Sequence, residues 1–202
     1  MLITDIFDEA LSQFGNDAGT DWIYLQSRLT KAGIVEMSAI ERAYNLCVSV
    51  HLDDVRASGV SYYSHPLSVV LILVEELRVT DESLIICTLL HSILKRGVIS
   101  LPLIRANFGN NVAILLARIT RLIRYTKEGH SNTKVLPNIF TLLITDIRIF
   151  LFQVCNRLHD LRTISYLSAT DQELTIRETE HFYLHFLRHF GLERIRVEVE
   201  NL

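Results

Sequence analysis

Two histidines near the middle of the chain, His65 and His91, are the side chains best suited to bind a metal ion. A neutral imidazole is a common metal ligand, but two imidazoles alone need further donors to bind a divalent ion firmly. Two cysteines offer soft donors, since Cys87 lies one helical turn before His91 and Cys155 lies further along the chain. Cysteine in an apolar segment is more often a buried core residue, and we favour that interpretation over a soft-metal site.

Two adjacent cations, Lys95 and Arg96, indicate a different chemistry. On a helix Lys95 shares a face with His91 and Arg96 shares one with Ser92, so a pocket at this point could bind phosphate directly. In the alternative interpretation both side chains extend to solvent or pair with acids such as Asp160. The residue types leave phosphate binding and a solvated role equally open.

The composition predicts an all-α fold and a single domain over residues 1–202. The chain has 49% hydrophobic residues, eight glycines and three prolines, and its apolar residues recur mostly at helical spacing. This hydrophobic content is high for a soluble protein, so we expect a bundle in which many helices are buried on more than one side. The most apolar run, 139–155, contains charged residues, which are costly at a bilayer centre, and it predicts no membrane span.

Capping residues and helix breakers predict where the helices begin and end. Four residues are placed to begin helices: Ser38, Ser64, Thr80 and Ser100. Gly109 is placed to end the fourth of these helices. One long helix is expected over 139–163 and another over 171–190. The polar segment 125–138 contains glycine and proline and is predicted to be a flexible loop between helices.

The net charge of the chain bears on nucleic-acid binding, and its cysteine content bears on the cellular compartment. A net charge of −3 and a pI near 6.2 give no reason to expect nucleic-acid binding, which usually needs a basic surplus. The three cysteines are odd in number, widely spaced and set in apolar segments, so they predict reduced thiols and no disulfide framework. We therefore expect a cytoplasmic protein in which any anion site is a local cluster.

Five ordered segments carry a resemblance to a known family: 56–67, 89–96, 108–122, 146–163 and 177–195. The first reads RASGVSYYSHPL and is similar to the R-x-S-G-x-P-Y-x-x-H-P-L signature of RelA/SpoT-type alarmone hydrolases, with Ser61 in the place of proline. The second, LLHSILKR, resembles the L-L-H-D-x-x-E-D segment that names the HD superfamily. Several blocks in the same order are more specific than any single motif, so the chain resembles the HD domain of (p)ppGpp hydrolases.

The resemblance implies a helical HD-type bundle in which two histidines and two aspartates bind Mn²⁺. In that family an adjacent Glu-Asp pair assists a water molecule, and the 3′-diphosphate of (p)ppGpp is removed. Carboxylates offset the charge of the ion, and the ion makes its bound water acidic enough to attack phosphorus. The metal positions match four residues of this chain, namely His65, His91, Ser92 and Asn156. The catalytic pair matches Lys95 and Arg96.

The four acidic positions of the family carry other residue types here: Ser92, Lys95, Arg96 and Asn156. Four negative charges become two neutral groups and two positive ones, a change of about six charge units in one predicted pocket. We therefore expect no intact catalytic residue and no metal cofactor, with Mn²⁺ bound only if some activity survives. His65 and His91 are then vestigial positions of the metal site.

The resemblance also implies positions that contact a nucleotide. They match six residues of this chain: Arg56, Ser58, Arg157, Asp160, Thr163 and Tyr183. Lys95 and Arg96 complete the predicted nucleotide-binding set, because their charges suit phosphate. Arg56 matches an arginine that packs against guanine in the family, and Asp160 stands where the family has asparagine. A carboxylate at that point would repel phosphate unless a neighbouring cation such as Lys95 neutralises it.

Three functions remain open from the sequence. The first, which we favour, is a catalytically inactive HD domain that senses a (p)ppGpp-related nucleotide or regulates a partner protein. The second is a residual Mn²⁺-dependent (p)ppGpp 3′-pyrophosphohydrolase that uses His65 and His91. The third is a structural or oligomerisation scaffold, which only the high apolar content favours. Expected partners are a guanosine alarmone, a synthetase domain in trans, or a second copy of the chain. The resemblance does not choose among them, because fold alone does not specify function.

Overall fold

The computed structural model describes Phe14 and residues 17–94, 97, 99–129 and 136–202. Within these residues the fold is all-α, which confirms the predicted class, and no β-strand is present beyond an isolated bridge between Val55 and Ser61. The α-helices are, in chain order, α1 (Ala18–Lys31), α2 (Ser38–Val50), α3 (Ser64–Leu71), α4 (Glu82–Leu90), α5 (Leu101–Gly129), α6 (Leu136–Thr145), α7 (Ile147–Arg162), α8 (Ala169–Glu178), α9 (Leu184–His189) and α10 (Glu193–Asn201). Other helical turns are Ile72–Glu76, Ile164–Tyr166 and Thr179–Tyr183.

Contacts between Cα atoms divide the chain into two compact units, Met1–Phe152 and Gln153–Leu202. In the first unit, α4 packs against α2, α3 and α5. Every residue of α3 is buried, and α4 is buried from Leu84 to its end. Helices that are apolar on all sides belong in the centre of a bundle, so α3 and α4 form the core that positions the candidate site. Among the described helices, none combines the length and the hydropathy that crossing a bilayer requires.

Two helix starts differ from their predicted caps. Helix α2 does begin at Ser38, but Met37 occupies the N-cap position and no side chain caps the helix. Helix α4 begins at Glu82 because Asp81 caps it, where Thr80 was predicted to do so. The Asp81 backbone is extended, and its carboxylate accepts a hydrogen bond from the backbone N–H of Leu84 at 2.7 Å. A carboxylate is the better cap because its charge also interacts favourably with the helix dipole.

Gly109 interrupts helix α5, as its position in the sequence predicts. Its φ of +86° and ψ of 172° are far from helical values, so the helix is kinked at this residue. The predicted loop over 125–138 is helical at both edges, because α5 continues to its last residue at Gly129 and α6 begins at Leu136. Residues 130–135 of that predicted loop lie outside the described residues.

The two long helices predicted for the second half of the chain are both interrupted. The helix expected over 139–163 divides at Asp146, which lies between α6 and α7. The Asp146 carboxylate accepts a hydrogen bond from the backbone N–H of Arg148 at 3.1 Å and so caps a new helix. The helix expected over 171–190 contains the π-helical turn Thr179–Tyr183 between α8 and α9. Periodicity alone does not reveal such a local change of helix type.

The second unit contains the end of α7 together with α8, α9 and α10. Helix α9 packs against the preceding π-helical turn and against α10. An ion pair between Arg162 and Glu198, with 2.7 Å between Nη2 and Oε1, joins α7 to α10. A second pair, between Arg188 and Glu200 at 2.9 Å, joins α9 to α10. These contacts fix the C-terminal helix against the rest of its unit.

Candidate functional site

Helix packing in the first unit brings His65 and His91 together. His65 lies in the first turn of α3, and His91 directly follows α4. The centroids of the two buried rings are 5.3 Å apart and the rings are nearly perpendicular. The ring of Tyr62 is 6.2 Å from that of His65, and the ring of Phe152 is 5.2 Å from that of His91. Two of the predicted metal positions therefore form the centre of an aromatic cluster.

His91 is a neutral imidazole with a defined tautomer. Burial lowers the pKa of His91 to about 4, and the nearby His51 and Arg56 also favour the neutral ring, against the opposing effect of its hydrogen bond. That bond joins Nδ1 to the backbone carbonyl oxygen of Thr88 at 2.7 Å. Because a carbonyl accepts and cannot donate, Nδ1 carries the proton and Nε2 carries the lone pair. This is the orientation in which a histidine binds a metal ion through Nε2.

A third buried histidine, His51, lies in the same cluster and was not identified by the motifs. Its Nε2 atom is 2.7 Å from Ser92 Oγ, and its Nδ1 atom is 2.8 Å from Asp54 Oδ2. A carboxylate only accepts hydrogen bonds, so Nδ1 donates to Asp54. In the neutral ring Nε2 then accepts the hydrogen bond that the Ser92 hydroxyl donates. The spacing of His51 and Asp54 signals a histidine–carboxylate pair. Nothing in the sequence links that pair to Ser92, because only the packing of α2 against α4 brings them together.

The described residues of the first unit do not fit the Mn²⁺ site of the family. A hard divalent ion needs oxygen donors that offset its charge, and carboxylates provide that charge. At the position of the first aspartate, Ser92 is neutral and its hydroxyl donates to His51. His65 and His91 thus lie beside a hydroxyl group where the family has a carboxylate. The predicted loss of the metal stays a prediction.

Lys95 and Arg96, the matched catalytic positions, lie outside the described residues. The structure describes the chain up to Leu94, and Ile93 is completely buried immediately after the Ser92 turn. The predicted role of Lys95 and Arg96 in phosphate binding stays a prediction.

Arg56 and Ser58 lie in the tight loop between α2 and α3. The backbone N–H of Arg56 donates to the carbonyl oxygen of Val60 at 2.9 Å, and that of Gly59 donates to the carbonyl oxygen of Arg56 at 2.9 Å. Gly59 has a φ of +84°, a backbone conformation that side chains disfavour, so this glycine permits the turn. Arg56 and Ser58 are half-buried. The positive charge of Arg56 is close enough to His91 to lower the pKa of that ring.

In the second unit, the matched position of the second aspartate, Asn156, is committed to a neighbour on its own helix. Its Nδ2 atom donates to Asp160 Oδ2 at 3.1 Å, one helical turn further along α7. Thr163 also lies near this end of the helix, and its hydroxyl donates to the backbone carbonyl oxygen of His159 at 3.0 Å. An amide offers no negative charge to a cation, and its donor group here points to a carboxylate.

Arg157 and Tyr183, two of the predicted nucleotide-binding residues, contact each other. The guanidinium carbon of Arg157 is 4.6 Å from the centroid of the Tyr183 ring, and Arg157 Nη2 is paired with Glu178. Burial opposes the charge of Arg157, but Tyr183 and Glu178 more than offset this and raise its pKa above the ordinary value. Gln153 donates a hydrogen bond to the Tyr183 hydroxyl. Among the described residues, Nε of Arg157 and Oε1 of Gln153 have no hydrogen-bond partner.

The three cysteines are buried thiols that form no disulfide bond. Burial raises the pKa of Cys47 and Cys87, so both remain protonated at neutral pH. Cys87 Sγ donates to the backbone carbonyl oxygen of Val112 at 3.5 Å. A metal ligand must be a thiolate, so these contacts favour the buried-core interpretation of the cysteines over a soft-metal site.

The chain is similar to a known family over most of its length. A sequence model described as "HD domain" matches residues 43–192. This chain belongs to the HD domain family. Within that family it is of the RelA/SpoT type, since its relatives include a GTP pyrophosphokinase of Streptomyces coelicolor, 30% identical over 163 residues. The match covers 81% of this chain and 19% of the relative.

Two further comparisons concern hydrolases. A guanosine-3′,5′-bis(diphosphate) 3′-pyrophosphohydrolase of Spiroplasma citri is 28% identical over 168 residues, which cover 82% of this chain and 22% of that protein. The HD domain thus spans about a fifth of the length of these relatives. The solved structure of a metazoan SpoT ortholog, described as hydrolysing ppGpp, superimposes with a TM-score of 0.64 at 16% identity. It covers 83% of this chain and 94% of its own, and it shows a common fold. Hydrolases of this family depend on a metal ion.

Proposed function

We propose that this HD domain binds a guanosine alarmone or a related nucleotide without hydrolysing it, and so acts as a nucleotide-sensing or partner-regulating module. One observation carries the loss of hydrolysis. Ser92 and Asn156, which stand at the two aspartate positions of the family, each donate a hydrogen bond to a side chain of their own unit. A group that is neutral and donates a hydrogen bond gives a metal ion no charge compensation.

The names of the relatives support the ligand class. One is named a GTP pyrophosphokinase and another a guanosine-3′,5′-bis(diphosphate) 3′-pyrophosphohydrolase. The resemblance of this chain to that family includes the segment 56–67, with Ser61 in the place of proline. Fold alone would not specify a ligand, since many functions share one scaffold. The proposal therefore rests on the residues of this segment and not on the shape of the domain.

The loop that contains Arg56 and Ser58 supports nucleotide binding. An arginine guanidinium stacks well on a planar base, and a serine hydroxyl both donates and accepts hydrogen bonds. Gly59 shapes the turn that presents these two side chains, which are half-buried and not fully solvated. Lys95 and Arg96 would then bind the phosphates, because ammonium and guanidinium groups form charge-assisted hydrogen bonds to phosphate oxygens.

In the second unit we assign Arg157 and Tyr183 an indirect role. Arg157 is ion-paired with Glu178 and lies over the Tyr183 ring, so its charge is already compensated within the protein. Asp160 and Thr163, which are only half-buried, remain the proposed polar contacts of this unit. The hydrogen bond from Asn156 to Asp160 moderates the repulsion that a carboxylate would exert on a phosphate.

A residual metal-dependent hydrolase is the second candidate, and one observation favours it. His91 donates from Nδ1 to a backbone carbonyl oxygen and so keeps the tautomer of a metal-binding histidine. Its partner His65 lies next to it. The two assisting acids of the family are absent, and general acid–base help of this kind is commonly worth about 10²–10⁴-fold in rate. We therefore expect at most a trace of this activity.

The proposed function is tested by isothermal titration of ppGpp into the purified protein, once with chelator and once with Mn²⁺. We expect binding in both runs and no release of pyrophosphate. The variant Arg56→Ala should bind about tenfold more weakly or worse, because it removes a charged contact. Arg105→Ala, which removes an exposed arginine of α5, is the matched control and should bind as the parent does.

Three other outcomes would contradict the proposal in different ways. Release of pyrophosphate that requires Mn²⁺ and is abolished by His91→Ala would establish the residual hydrolase. Absence of heat in both titrations would favour a scaffold or oligomerisation role. Equal weakening by Arg56→Ala and Arg105→Ala would remove the loop from the proposed site. The partner-regulating form of the proposal is tested separately, by measuring whether the chain changes the activity of a synthetase domain added in trans.

A further inference from the structure

Asp54, His51 and Ser92 form a continuous hydrogen-bonded series in the first unit. The carboxylate accepts from Nδ1–H of the imidazole at 2.8 Å, and Nε2 of the same ring accepts from the serine hydroxyl at 2.7 Å. In this order a carboxylate fixes the tautomer of a histidine, and the histidine is positioned to remove the proton of a hydroxyl group. Serine nucleophiles are activated by this arrangement on several unrelated folds, where geometry and not sequence order identifies it.

The fold constrains all three side chains. His51 is the residue that ends α2, and it is completely buried. The Tyr62 ring lies 4.6 Å from the His51 ring and restricts its rotation. Ser92 lies in the turn that follows α4 and is nearly buried, whereas Asp54 is half-buried at the edge of the loop. Because α2 and α4 pack against each other, the series is held by the core of the unit.

A buried serine does not need a histidine to satisfy its hydroxyl group. In α3 of the same unit, the Ser68 hydroxyl donates to the backbone carbonyl oxygen of Ser64 at 3.0 Å. This is a common arrangement for a serine within a helix. Ser92 instead donates to an imidazole whose second nitrogen is bonded to a carboxylate. The contrast between Ser68 and Ser92 distinguishes a packed hydroxyl from one placed beside a base.

We propose that Ser92 is a nucleophile, that His51 is its general base, and that Asp54 is the positioning residue of His51, so that the former metal position carries a metal-independent acyl-transfer site. The substrate class is a small carboxylic ester. This inference goes beyond nucleotide binding and does not depend on it.

The chemistry of the surroundings favours an acyl over a phosphoryl substrate. Serine triads act on carbonyl carbon, which is uncharged, whereas phosphoryl transfer relies on cations that clamp the phosphate oxygens. Phe152 and the neutral ring of His91 lie in the same aromatic cluster as His51. These rings suit the apolar part of a small ester.

The proposed reaction balances without a cofactor. The Ser92 hydroxyl transfers its proton to His51 Nε2 as Oγ bonds to the carbonyl carbon of the ester. The bond between that carbon and the alkoxy oxygen then breaks, and the alcohol leaves with the proton from His51. A water molecule attacks the acyl-serine, giving its proton to His51, and the proton returns to Ser92 Oγ as the carboxylic acid departs. The sum is ester plus water giving alcohol plus acid.

The test is labelling of the full chain with a fluorophosphonate probe in the presence of chelator, followed by mapping of the modified residue by mass spectrometry. The serine oxygen bonds to phosphorus and fluoride leaves with the proton, so the probe reports an activated hydroxyl. We expect modification at Ser92, none in Ser92→Ala, and unchanged modification in Ser68→Ala. Hydrolysis of p-nitrophenyl acetate should follow the same pattern.

The role of Asp54 is tested by two variants that leave the buried ring in place. Asp54→Asn should slow labelling by about tenfold or more, because an amide does not fix the required tautomer. Asp54→Glu restores a carboxylate and should recover part of the labelling rate. A purely structural role of this half-buried side chain predicts no such recovery. Circular dichroism confirms that each variant is folded.

The proposal is overturned if Ser92 in the folded parent protein is not modified, or if Asp54→Asn labels at the parent rate. Modification of Ser68 in place of Ser92 would also overturn it. The hydrogen-bonded series would then be a structural network of the core. Since the assay contains neither nucleotide nor metal, its failure leaves the nucleotide-binding proposal untouched, and the reverse also holds.

Discussion

Burial sets the charge of His91, and this has a consequence for stability. The pKa of His91 is lowered to about 4 in the folded protein, mainly by burial, whereas an unfolded histidine titrates near about 6.5. Between these values the unfolded state binds more protons, so the free energy of unfolding falls as pH falls from about 6.5 towards about 4. The loss should reach a few kcal/mol, at about 1.4 kcal/mol for each unit of pKa difference.

The measurement is urea unfolding at about pH 7 and about pH 5, in the parent protein and in His91→Gln. The variant has no group that titrates at this position, so its unfolding free energy should change less between the two pH values. Equal changes in the unfolding free energy of the two proteins would show that His91 has its ordinary pKa in the folded state.

The ion pair between Arg157 and Glu178 should contribute strongly to the second unit. Both side chains are largely buried, and Arg157 also lies over the Tyr183 ring. Removing one partner of a buried pair leaves an uncompensated charge, so Arg157→Ala should lower the free energy of unfolding by about 3 kcal/mol. The matched control is Arg177→Ala, which breaks an exposed pair with Glu173 in the same unit and should cost less than about 1 kcal/mol. Denaturant unfolding followed by circular dichroism measures both, and similar losses would contradict the assignment.

The sequence predicted some of these residues and missed others for one physical reason. His65 and His91 could be identified because each lies in a short local pattern. The contact between His51 and Ser92 could not, since it joins residues that are 41 positions apart. The same applies to Arg157: the family resemblance implied a ligand contact, and its folded neighbours are Glu178 and Tyr183. Local patterns identify candidate residues, and tertiary packing decides their partners.

At the level of elements, the kink in α5 depends on Gly109. Its φ of +86° and ψ of 172° belong to a region that only glycine occupies readily. A Cβ atom at Gly109 would meet nothing within 4 Å, so the cost of Gly109→Ala is backbone strain without a steric clash. We expect a loss of about 1–3 kcal/mol in the free energy of unfolding.

The control for this substitution is Gly19→Ala in the first turn of α1. The backbone of Gly19 is helical, and the nearest atoms to an added Cβ are the Asp17 carboxylate oxygens at 3.8 Å, an ordinary contact distance. Alanine is the better helix former, so this variant should be neutral or more stable by up to about 1 kcal/mol. Thermal unfolding measures the stability of both variants. If Gly109→Ala were as stable as Gly19→Ala, the proposed role of Gly109 in the kink would be wrong.

Helix starts and breaks show why element boundaries were only partly predictable. The glycine at 109 was identified as a break because no other residue adopts its backbone angles easily. Asp146 was missed, since an acid within an apolar run gives no sign that its carboxylate will cap a new helix at Arg148. Thr80 and Asp81 are both cap residues, and the choice between them is made by the backbone angles of the folded chain.

At the scale of the whole molecule, the fold class could be predicted because apolar residues recur at helical spacing wherever one face of a helix is buried. The division into the units Met1–Phe152 and Gln153–Leu202 could not, because apolar periodicity does not reveal which helices contact each other. The family match over residues 43–192 includes parts of both units. The prediction of a single domain stays a prediction. Metal binding by this chain can be measured on the intact protein through its thermal stability.

The thermal stability of the intact protein should be independent of Mn²⁺. An ion present at about one hundred times its dissociation constant stabilises a folded protein by about 2.7 kcal/mol, which for this size raises Tm by several degrees. Ser92 and Asn156 supply no carboxylate, so about 1 mM Mn²⁺ should change Tm by less than about 1 °C relative to chelator. Ser92→Asp places a carboxylate next to the paired rings of His65 and His91 and should gain a Mn²⁺-dependent increase of about 2 °C or more. A large increase in the parent protein would show that the remaining residues bind the ion, and the metal-independent assignment would then fail.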